Sequence, residues 1–157
     1  MKMVIKAAIC ATVFATVSAP AMAADYPFAD EIEARQGYFQ VLKFNIGVLG
    51  AMAKGKRDYD AELAQTMANN LKNASLMNNQ MMWPKGSDMD AEGLSGKTKA
   101  KAAIWQEGSE IGQMNKDFAA AADTMAANAG QGIDALREAI GPLGKSCKSC
   151  HEKYRAK

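Results

Sequence analysis

Apolar residues recur along this chain at alternating spacings of four and three in four separate stretches. Almost nowhere do they alternate one by one, as a half-buried strand requires. The first stretch holds Phe28, Ile32, Arg35, Phe39, Leu42, Ile46, Leu49 and Ala53, one face of a helix packed in a bundle. Gly55, between Lys54 and Lys56, marks its end. The second follows Asp58, a candidate N-cap, with Leu63, Met67, Leu71, Ala74 and Met77. From about Met81 to Lys99 the periodicity is lost, and "WPKGSDMDAEGLSGK" reads as a connecting loop. The third stretch carries Ile104, Gly108, Ile111, Phe118, Ala122 and Met125 and closes at "NAGQG"; the fourth carries Ile133, Leu136, Ile140, Leu143, Cys147, Cys150 and Tyr154. Four amphipathic helices with short first and last connections predict an all-α fold, an antiparallel four-helix bundle. One local conflict stands in the fourth helix. Pro142 removes a backbone hydrogen bond, which predicts a kink or a delayed regular start.

The first helix carries a second stripe, Gly37, Val41, Phe44, Val48 and Ala51, offset by two positions, or roughly 200° around the axis. A helix apolar on two opposite faces is usually buried on both. In a four-helix monomer one of those faces meets water, so the stripe predicts a helix-to-helix homodimer contact.

The N-terminus changes the charge and the cysteine count. "MKMVIK" is basic, Ala7 to Val17 is apolar and small, and Ala21-Met22-Ala23 is a small-x-small cleavage site. Residues 1–23 therefore read as a secretory signal peptide, too short in its apolar run for the ~20 residues of a bilayer helix. The bundle domain is 24–157, enough chain to bury a core without disulfides. Losing Lys2 and Lys6 takes the basic residues from 19 to 17, equal to the 17 acidic ones. A neutral domain has no electrostatic reason to bind nucleic acid or an anionic membrane. Cys10 leaves with the leader. The remaining cysteines, Cys147 and Cys150, and the single histidine, His151, all lie in "CKSCHEKYR".

Structural zinc wants four protein ligands, and this chain offers three soft candidates. A thioredoxin-like dithiol follows a strand, and no strand is predicted. A Cys147–Cys150 disulfide would constrain one helical turn. C-x-x-C-H in an exported chain points instead to a c-type haem. Both thiols occupy core-facing positions of the fourth helix, within reach of the porphyrin vinyl groups, and His151 can supply the axial nitrogen to the iron.

A leader, four helices and a C-terminal C-x-x-C-H resemble cytochrome c-prime, the class II c-type cytochromes of bacterial periplasms. Arg35-Gln36, Ile104-Trp105 and Tyr154-Arg155 belong to the same resemblance. It implies one covalently bound haem c inside the bundle and a homodimer formed through the first two helices. It implies haem-propionate contacts from Arg35, Gln36 and Thr98. Arg35 also sits on a core stripe, where its charge needs an anion. Arg155, one turn after His151, is placed to shield the imidazole on the proximal side. Trp83, Trp105 and Phe118 are expected to pack around the porphyrin and core.

A low-spin electron carrier needs a sixth iron ligand, normally methionine or a second histidine. No second histidine exists, and the eight methionines left after cleavage read mostly as core filler. In low-spin relatives the ligand methionine lies one turn after the arginine matched by Arg35. Here that residue is Phe39, which has no donor atom. Lys43, one turn further, would have to lose its proton to coordinate. The reading is a periplasmic, high-spin, five-coordinate haem protein that binds NO or CO and exchanges electrons with a periplasmic redox partner. A dedicated electron carrier is the alternative. No proton-donating side chain is evident around Phe39, so no enzymatic role is assigned.

Overall fold

The computed structural model describes residues 26–157; the signal peptide read over 1–23 lies outside them. Among these residues four α-helices are present: α1 (Ala29–Ala53), α2 (Ala61–Ser75), α3 (Ile111–Asn128) and α4 (Ile133–Tyr154). Among the described residues the only β pairing is one antiparallel bridge, Ala100 to Arg155. α1 packs on α2 and α4, and α3 packs on the same two. The short connections α1–α2 and α3–α4 therefore join neighbours, as the pattern predicts, in an antiparallel four-helix bundle.

Three boundaries differ from the sequence reading. Asp60, not Asp58, caps α2: its carboxylate accepts from Leu63 N at 2.9 Å, a bond worth about 1 kcal/mol. Ile104-Trp105 do not open α3 but form a separate 3₁₀ turn (Ala102–Trp105), because Gly108, at φ 76°, turns the chain before the helix begins. Pro142 lies inside a continuous α4 whose start is not delayed. Gly141, Pro142 and Glu138 are all exposed, so the carbonyl that proline leaves unpaired faces water. Gly55, at φ 66°, does close α1, with its N–H on Met52 O at 3.0 Å.

The core fills one half of the bundle. Leu49, Met52, Leu71, Met125, Leu136 and Leu143 are buried together there, and Phe118 packs against them. Toward the C-terminus of α4 a second, smaller cluster takes over. It is built on Ala100, Ile104 and Tyr154, with Trp83, Trp105, Met114 and Cys150 around them. Its polar atoms are tied: Trp105 Nε1 donates to Trp83 O at 3.0 Å, and the Tyr154 hydroxyl accepts from Glu110 N at 2.7 Å, covering the start of α3.

Candidate haem site

Cys147, Cys150 and His151 stand at i, i+3 and i+4 on α4 and so share one helical face. Both thiols are free and half-buried. Burial pushes each thiol's pKa above its ordinary value, which keeps both protonated near neutral pH. His151 is shifted the other way, first by desolvation and then by the Arg155 charge. A neutral imidazole is the form that can ligate a metal.

α1 brings the opposite wall. The Phe39 ring sits 6.5 Å from that of His151, edge-on, and 5.4 Å and 6.0 Å from Tyr38 and Trp83. At 41% exposure it is far more open than a core phenylalanine. None of its three ring neighbours carries a thioether. Met114 packs elsewhere, with Ile104 and Tyr154. Lys43 turns away to the outer face of α1, where it lines a groove with Gln40 and Phe44.

Arg35, Gln36 and Thr98 also come together, though first of all with each other's loop. Arg35 is 2% exposed. Its Nη1 donates to Ser87 Oγ at 2.7 Å and to Met82 O at 3.5 Å; its Nη2 donates to Ser87 O and to Thr98 Oγ1 at 2.7 Å. The guanidinium lies 4.8 Å from the Trp83 ring centre. Gln36 Nε2 donates to Lys97 O at 2.8 Å. Every acceptor is neutral, and among the described residues no carboxylate forms an ion pair with Arg35. Desolvation accordingly lowers its pKa despite the opposing pull of Asp88 and Glu31. A buried cation satisfied by hydrogen bonds but not by charge suits a site that takes an anion.

Sequence reasoning missed Ser87, Met82 and Tyr38. Ser87 sits in a Gly-Ser-Asp turn with nothing to mark it as an arginine acceptor. Tyr38 points into the bundle, with its hydroxyl 3.2 Å from Ala74 O. Its pKa is raised by burial and by the neighbouring Cys147.

The donor set fits haem c: two protonated thiols and a neutral imidazole on one helical turn, an aromatic wall opposite, and a buried cation nearby. Residues 30–155 match the cytochrome c' family model. The chain belongs to the cytochrome c' family. It binds one covalently attached haem c, as the family does. A cytochrome c' of Cereibacter sphaeroides is 37% identical over 147 residues, spanning 94% of this chain and 95% of that one. The solved cytochrome c' from a Rhodobacter superposes with a TM-score of 0.78 at 35% identity, covering 83% of this chain and 98% of its own. A ferrous variant of the Alcaligenes xylosoxidans protein, solved with bound NO, gives 0.68 at 27% identity and covers 83% and 96%.

Proposed function

We propose that this cytochrome c' works in the periplasm as a high-spin haem protein that takes NO or CO at an open iron position. Cys147 and Cys150 would carry the two thioether links and His151 would supply a nitrogen to the iron. Haem supplies a redox-active iron; everything else falls to the chain. Phe39, whose ring faces that of His151, would set hydrocarbon opposite it, keeping protein donors and water away and leaving room for a small neutral diatomic. Arg35 holds Ser87 and Thr98 in place and offers its uncompensated charge to a propionate, with Gln36 beside it. Arg155 lies one turn beyond His151 and favours the neutral imidazole. Export by residues 1–23 would deliver the domain to the compartment where such haems are attached.

The observation that carries this reading is the Phe39 ring facing His151 at 6.5 Å. The relative solved with NO agrees with it. Anaerobic titration of the ferrous protein with CO and with NO tests it: each gas is expected to shift the visible spectrum and saturate at one ligand per haem. A ferrous spectrum indifferent to both would leave the dedicated electron carrier as the reading.

The outer stripe of α1 supports a homodimer. Phe44 is 66% exposed and Val41 52%, and with Gly47, Val48 and Ala51 the Phe44 ring borders a groove of ≈ 430 Å³. Single exposed apolar side chains are ordinary, but a continuous row on one helix marks an interface. Phe44→Glu is expected to weaken dimerisation at least tenfold in sedimentation velocity, about 1.4 kcal/mol, with the haem spectrum unchanged. A variant as dimeric as the parent would place the interface elsewhere.

A further inference from the structure

We infer that the end of the bundle carrying the haem site is a docking face for an acidic one-electron carrier protein, built from Lys97–Lys101 and the last turns of α4. Net neutrality conceals this. Residues 97–101 and 145–157 together hold eight of the 17 basic residues left after leader cleavage, against one acidic residue, Glu152. The rest of the mature chain holds nine basic and sixteen acidic residues.

The fold joins the two basic segments. Lys101 N donates to Tyr154 O and Ala156 N to Lys99 O, both at 2.9 Å, on either side of the Ala100–Arg155 bridge. The lysine-bearing segment is thereby fixed to the helical turn that follows His151. Two of the cations are paired, Lys148 with Glu152 at 3.6 Å and Lys153 with Glu110 at 2.9 Å. Lys97, Lys99, Lys145 and Arg155 are exposed and form no ion pair among the described residues. On its other side the segment meets Met89, whose N–H donates to Ala100 O at 2.8 Å. Asp88 and Asp90 therefore bound the face on that side, and it opens toward α4.

An unpaired cluster of one sign steers an oppositely charged partner and speeds encounter. This cluster lies on and beside the helical turn that carries His151. A reduced carrier docked here would give up one electron, and Cys147, Cys150 and His151 would hold the group that accepts it. A protein partner accounts for the position of the charge at the site; a membrane would require only that the charge be exposed somewhere.

The inference rests on haem attachment at Cys147, Cys150 and His151, which the optical spectrum of the same sample checks separately. The probe is the reduced soluble domain of cytochrome b5, an acidic donor, mixed with the ferric protein in stopped flow. The second-order rate constant is expected to fall about tenfold or more between about 10 mM and about 200 mM ionic strength. Lys97→Glu/Lys99→Glu is expected to slow it about tenfold at the lower value. Lys54→Glu/Lys56→Glu, at the far end of α1, leaves it unchanged. Calorimetric binding of ferric cytochrome b5 is expected to follow the same charge dependence without electron transfer. A rate independent of salt, or an equal loss from both double variants, would overturn the inference. Retention on phosphatidylglycerol vesicles through Lys97 and Lys99, with cytochrome b5 indifferent to them, would assign the face to a membrane instead.

Discussion

Cys147→Ser/Cys150→Ser is expected to release the haem on acid–acetone extraction, whereas the parent chain keeps it through denaturation. Serine preserves the shape and polarity of each site but cannot form the thioether, so retention then depends on His151 and on apolar contact alone. The consequence reaches beyond the cofactor. Phe39, Trp83, Trp105 and Met114 remain partly exposed in the chain by itself, and the main core ends at Leu143. Haem supplies the apolar surface that this half of the bundle needs, and burying that surface against Phe39, Trp83, Trp105 and Met114 on folding stabilises the folded state. The double variant is expected to melt about 10 °C or more below the parent, corresponding to roughly 3 kcal/mol at the usual scaling for this size. Haem still bound covalently to the variant would refute the attachment assignment, and an unchanged melting temperature would refute the structural role.

The helices were legible because burial is periodic. Ile32, Leu49, Leu71, Leu136 and Leu143 are buried where the four-and-three spacing puts them. C-x-x-C-H was legible because its chemistry is local, three donors within five residues. Arg35 was legible only in part. Its place on a core stripe predicts burial and a need for compensation, but the oxygens that receive it come from Met82, Ser87 and Thr98, 47 to 63 residues away. No spacing rule reaches across an irregular loop. The same limit applies to the 3₁₀ turn at Ile104-Trp105, where apolar residues meet helical spacing yet pack against Tyr154 from a loop. Charge was legible only as a total: a sum over the chain cannot show that Lys99 and Arg155 are brought together.

Phe39→Met is expected to convert the iron from five-coordinate high-spin to six-coordinate low-spin. The ring it replaces stands opposite His151 at 6.5 Å, and methionine is unbranched and flexible enough to turn its sulfur into that space. A thioether in the sixth position is a normal ligand of c-type haem. Gas binding would then have to displace it. If the sulfur is bound about 90 to 99% of the time, the apparent CO affinity falls about 10- to 100-fold. Phe39→Leu is the control: it opens the pocket without a donor, so it stays high-spin and binds CO at least as well as the parent. A Phe39→Met protein that stayed fully high-spin with unaltered CO affinity would show that Phe39 does not cover the iron. Burial argues that the substitution is tolerated, since a side chain 41% exposed leaves little cavity behind.

The central claim is that no side chain of this protein occupies the sixth position of the iron. Electron paramagnetic resonance of the resting ferric protein at neutral pH, on samples whose haem content is known, tests it most directly. A high-spin signal accounting for the whole of the iron is the predicted result. A low-spin signal accounting for most of it would contradict the account, because it would require a strong protein ligand where Phe39 stands.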